Sequence, residues 1–161
     1  MNPMDMEKWK NLYPETEKKG ISLHFSNVHE YVRLSIICFI KWLREEVDFP
    51  VHVNVYCRYG EKVPCMNGRF AHGKFWFRYN DRNTHPRIYI GCGDFKKDDP
   101  VTEHLMDETD LILGTLMHEI IHYFQFINGM DMDRRGIEQQ ATYYEKDMMQ
   151  YYFEMCELDD E

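Results

Sequence analysis

Apolar residues recur along this chain with two rhythms, and each rhythm predicts a kind of element. Val28, Val32, Ile36, Phe39, Ile40 and Leu43 follow helical spacing. They predict a helix from Asn27 to about Val47, with Asn27 as cap and Glu30 completing a capping box. Asp48 and Pro50 end it. Val51, Val53 and Val55 then alternate with His52, Asn54 and Tyr56, the period of a half-buried strand. Phe70 to Tyr79 and Arg87 to Cys92 are two further strand candidates, separated by a turn from Asn80 to Pro86. Thr102 can cap a helix starting near Glu103 or Thr109 and running to Asn128, where Asn128-Gly129 is a stop signal. From Leu111 to Ile127 that helix is apolar nearly all round, as a helix in the middle of a fold would be. A last helix is expected from about Ile137 to Cys156, with Ile137, Ala141, Tyr144, Met148, Tyr151 and Met155 on one side.

The order is helix, three or so strands, buried helix, final helix, which predicts an α+β fold with a small sheet. Residues 1–24 are polar and punctuated by Pro3, Pro14 and Gly20, so they read as an N-terminal arm with at most one short helix. Residues 25–157 read as a single domain, and 158–161 as an acidic, frayed tail.

Composition narrows the classes of function. With 43% apolar and 29% charged residues, the 161-residue chain is globular rather than disordered. Its net charge of −9, with Lys and Arg scattered in short pairs, argues against nucleic acid as a partner. The five cysteines are odd in number and form no Cys-x-x-Cys pair, and the charged N-terminus has no apolar core, so free thiols in the cytoplasm are expected. The most apolar run, Leu34 to Leu43, is broken by Lys41, and no membrane contact is expected.

Chemistry concentrates at His118-Glu119-Ile120-Ile121-His122. Residues four apart project from one face of a helix, so two imidazoles can close on one ion that prefers tetrahedral ligands. Zinc is the expected metal. Glu119 lies about 100° round from His118, too far to be a good third ligand but able to reach a water on the metal and act as general base. Two histidines and a glutamate in so apolar a segment would be costly without such a purpose. A catalytic zinc site needs a third protein ligand and an open position. No histidine follows His122, so the third ligand should be acidic: Glu138 is favoured, Glu145 is the alternative on nearly the same face, and Asp131 and Asp133 lie in the connection. Whichever glutamate does not ligate could orient a zinc histidine. Tyr143, Tyr144, Tyr151 and His104 are candidates, by chemistry alone, for stabilising an oxyanion. Leu111, Gly114, Thr115 and Gln125 fall near the two histidines by helical angle, and Gly114 would leave room beside the metal.

The segment LGTLMHEIIHYFQ followed by IEQQATYY resembles the gluzincin group of zincin metallopeptidases. It is most similar to the small single-domain members, the minigluzincins, and is similar too to phage-associated peptidases that cleave repressors and carry Glu-x-x-Ala downstream. The resemblance covers about Thr109 to Tyr152. It implies a zincin-like fold: an N-terminal helix, a three- to four-stranded twisted sheet, a zinc helix and a glutamate helix. It implies one zinc on His118, His122 and Glu138, with Glu119 as base, and protein or peptide as substrate. It also implies an edge strand holding an extended peptide above the metal, for which Arg87 to Cys92 is the candidate. Many gluzincins place an Asp four residues after the third ligand; here that residue is Thr142. Two other readings use the same residues: a non-catalytic regulatory module with structural zinc, and a hydrolase of non-peptide amides.

Overall fold

The computed structural model describes residues 1–13, 18–78, 81 and 83–159. In chain order its elements are α1 (Trp9–Leu12), β1 (Ile21–Ser26), α2 (Glu30–Glu46), β2 (Val53–Arg58), β3 (Val63–Pro64), β4 (Phe70–Ala71), β5 (Gly73–Trp76), β6 (Arg87–Gly91), α3 (Glu103–Ile127) and α4 (Arg134–Asp159). Short 3-10 turns at Pro3–Asp5 and Met66–Gly68 complete the list. The α+β expectation holds.

Four strands form one sheet in the order β1-β2-β6-β5. The first three are parallel and β5 returns antiparallel to β6, pairing Gly73 with Ile90 and Trp76 with Arg87. Alternation sorts the side chains. Val53, Val55, Cys57, Ile88 and Ile90 are buried on the inner face, while Asn54, Tyr56, Arg58 and Tyr89 face outward. Against the inner face lie Val32, Ile36, Phe39 and Leu43 of α2 and Leu116, Met117, Ile120 and Ile121 of α3, all fully enclosed. Thus α3 is the apolar central helix its sequence predicts. Thr102 caps it, with Oγ1 accepting the Leu105 N–H at 3.1 Å. Asn128 ends it, and Gly129 takes a positive φ of 58° there.

Several expectations are corrected. The arm is not loose up to residue 24: Ile21, Leu23 and Phe25 alternate with Ser22, His24 and Ser26, and this stretch is the first strand of the sheet. Asn27 does not cap α2. It sits in a turn with φ of 56°, and His29 caps instead, its Nδ1 accepting the Tyr31 N–H at 3.1 Å. The stretch from Phe70 breaks at His72, because Phe70–Ala71 pairs with β3 while Gly73–Trp76 pairs with β6. The end of that predicted strand, Tyr79, and the start of the turn after it, Asn80, lie outside the described residues. Arg87–Gly91 is not an edge strand, since β2 and β5 flank it; the edge beside α3 is β5. The final helix starts earlier, at Arg134, and runs to Asp159; Asp133 caps it, accepting the Gly136 N–H at 2.7 Å. Of the predicted tail, Leu158 and Asp159 are helical and residues 160–161 lie outside the described residues.

The residues around the first turns are tied to the far end of α3. Trp9 donates its N–H to Asn128 Oδ1 at 3.1 Å, and Asn128 Nδ2 donates to Pro3 O at 3.2 Å. No helix among the described residues is long and apolar enough to cross a membrane.

Candidate metal centre

Helical spacing on α3 turns His118 and His122 toward α4, which packs along it. Ala141, fully buried, lets the two helices approach. Glu138, in the second turn of α4, reaches both imidazoles. Its Oε2 lies 3.0 Å from His118 Nε2 and its Oε1 lies 3.0 Å from His122 Nε2. One ligand atom from each of the three residues falls within 4.8 Å of the others.

The other ring nitrogens are engaged. Glu145 Oε1 lies 3.0 Å from His118 Nδ1, and Gln125 Oε1 lies 2.7 Å from His122 Nδ1. Gln125 cannot present its amide the other way round. Its Nε2 donates to Ile137 O at 3.0 Å and to Gln140 Oε1 at 2.9 Å, so its oxygen faces the ring. His122 therefore carries its proton on Nδ1, and the carboxylate of Glu145 imposes the same tautomer on His118. In neutral rings both Nε2 lone pairs then point at Glu138, whose carboxylate oxygens are themselves acceptors. Three groups rich in lone pairs then converge, and a positive charge is needed among them: a proton on His118 Nε2 in the metal-free state, or a metal ion. A cation satisfies that arrangement, and two imidazoles with one carboxylate are the donor set that zinc takes. The glutamate outside the triad holds a histidine from behind, as zinc-bound histidines are commonly held.

Electrostatics in the metal-free state reflect the same crowding. Burial alone would pull the His118 pKa down, but Glu145, Glu119 and Glu138 outweigh it and push it up to about 9. His122 goes the other way, mainly because it is buried. Glu119 is nearly enclosed, and burial raises its carboxyl to about 7 against the pull of His118, with Glu138 and Glu145 adding to the rise. A carboxyl titrating near neutrality suits proton transfer in both directions.

A cleft of about 870 Å³ opens onto these groups. His118, Glu119, His122 and Glu138 line it from the helices, and Gly73, Phe75 and Phe77 from the strand side. Gly73 makes the close approach: a Cβ there would stand 2.7 Å from Thr115 Cγ2 and 3.2 Å from Glu119 Cγ. Gly114 has a related role, since a Cβ would meet Glu145 Oε2 at 3.4 Å; the room it leaves is taken by the carboxylate behind His118.

Other expected residues lie elsewhere. Asp131 and Asp133 are not in the triad, and Asp133 is spent on the cap of α4. Tyr143 is 65% exposed and packs on Tyr144, Tyr151 packs on Trp42, and His104 packs on Phe95; none of the four lines the cleft. Leu111 is exposed and lines a separate cavity. Sequence reasoning missed Gln140 as the residue that fixes the amide of Gln125, and missed Phe75, Phe77 and Phe126 as a cleft wall. The aromatic density of the segment from Phe70 was the available signal for that wall.

No family model matches this chain, and neither does any curated protein or solved structure.

Proposed function

We propose that this chain is a zinc-dependent peptidase of the zincin type, resembling the gluzincins, that hydrolyses internal peptide bonds. The observation that carries the reading is the convergence of His118 Nε2, His122 Nε2 and the Glu138 carboxylate, one ligand atom of each within 4.8 Å of the others, beside a nearly enclosed Glu119. Zinc held there supplies Lewis acidity, lowering the pKa of a water toward ~7 and polarising the scissile carbonyl.

The protein's own groups do the rest. His118 and His122 offer Nε2 because Glu145 and Gln125 hold their Nδ1 protons. Glu119 takes the proton of the attacking water at its carboxylate and returns it to the leaving amine nitrogen. Its near-complete burial beside the triad holds the carboxylate in place for this. The outer edge of β5 offers main-chain groups to an extended substrate, as edge strands do in strand addition. The narrow gap over Gly73 keeps that edge against the helix bearing Glu119.

Glu119→Gln tests the assignment. The variant should bind one zinc per chain, by elemental analysis, and lose peptide hydrolysis by at least about a thousandfold, the scale expected when a positioned base is removed. Parent-level cleavage by that variant would rule the mechanism out.

A further inference from the structure

On α3, Leu111, Gly114 and Thr115 line a second cavity of about 720 Å³, whereas His118, His122 and Phe126 line the first. On the strand side Ala71, Gly73, Phe75 and Phe77 line the first cavity, and His72 the second. The strand runs beside α3 in the same direction, from Gly73 against Thr115 to Phe77, whose ring lies 4.5 Å from that of Phe126. A segment laid along the outer edge of β5 would have the first cavity beside Gly73 to Phe77 and the second beyond His72.

The two cavities differ in chemistry. The first is walled by Phe75, Phe77, Phe126, Met130 and Ile137, with Arg78 and Arg134 exposed at its rim, Arg78 lying 3.9 Å from the Asp81 carboxylate in a solvent-exposed pair that an incoming acidic group can exchange for. Its carboxylates, Glu119 and Glu138, belong to the metal centre. Lys74 lines it too, but its ammonium is turned away, donating to Pro64 O at 2.6 Å. The second cavity carries Glu61, Glu108 and Asp110 in addition to Glu145, against Lys146 and His72. Burial, with the neighbouring Asp107 adding to it, holds the Asp110 carboxyl above its usual range. In a chain of net charge −9, two arginines flank one end of the groove and carboxylates crowd the other.

We propose that the substrates are polypeptide segments of split charge. A large apolar or aromatic residue accompanied by acidic residues lies on one side of the scissile bond, and basic residues lie on the other. This rests on the peptidase reading above. Main-chain pairing along the edge would supply sequence-independent affinity, while alternate side chains enter the flanking cavities and their charges select the register.

Three blocked peptides test this by fluorescence anisotropy against the zinc-loaded Glu119→Gln protein. The first is Asp-Asp-Phe-Ala-Ala-Lys-Lys, the second has the same residues in reverse order, Lys-Lys-Ala-Ala-Phe-Asp-Asp, and the third has serine at all four charged positions of the first. One charged order should bind about tenfold more tightly than the other two peptides, as two weak ion pairs in a partly screened groove allow. Replacing both exposed arginines, Arg78→Glu with Arg134→Glu, should abolish that preference. Equal affinities, or a preference unmoved by the double substitution, overturn the proposal and leave the peptidase reading standing. A parent protein that neither retains zinc nor cleaves any of the three sinks the peptidase reading itself.

Discussion

Gln125 shows how much one side chain can settle. It is buried, its amide donates twice toward α4, and its remaining oxygen dictates which nitrogen of His122 faces the metal site. Gln125→Leu leaves the ring without that anchor, and Glu145→Gln removes the carboxylate behind His118. Each should weaken zinc binding by about 10–100-fold, measured by competition with a chelator. The metal-free protein should also respond to pH with a definite sign. The folded-state pKa of His118 is raised from 6.5 to about 9, so its contribution is complete below 6.5 and disappears as pH rises through 9. That of Glu119 is raised from 4.5 to about 7, so folding also takes up a proton there and becomes less favourable as pH climbs across that range. His122, held below its ordinary range, acts in the opposite sense below pH 6.5, so thermal melts in excess chelator should show Tm falling between about pH 7 and 9, where His118 titrates. A Tm rising over that interval would mean that the carboxylates are not arranged around His118 as described.

At the scale of elements, the decisive contact is β5 against α3, and it depends on the absence of a side chain at Gly73. Gly73→Val would drive methyl groups into Thr115 and the stem of Glu119, costing about 1–3 kcal/mol by overpacking. Differential scanning calorimetry should register this as a Tm several degrees lower, and the variant should lose hydrolysis beyond what its folded fraction explains. The helical half of the site was readable because its information is local. His118 and His122 are one turn apart, and Glu138 stands one turn before the small Ala141. The sheet was not readable in the same way. Nothing within Arg87–Gly91 says that it is internal; β5 takes the edge only because it returns antiparallel beyond it. Likewise Ile21–Ser26 has the alternation of a strand, but six residues with three polar ones do not stand out from a polar arm. Strand order is a property of long-range pairing, and local periodicity carries no record of it.

For the whole molecule, zinc should behave as part of the fold. The triad joins the two longest helices, so saturating metal is expected to raise Tm in a concentration-dependent way, by the logarithm of free zinc over its Kd, and chelation to reverse it. Glu138→Gln should blunt that response; an undiminished shift would place the metal elsewhere. The ties between the N-terminal turns and Asn128 have a consequence in time. Pro3 and Trp9 are synthesised 125 and 119 residues before their partner. That segment must wait, undocked, until Asn128 has been made, and its latch closes only once the helix bearing the histidines is complete.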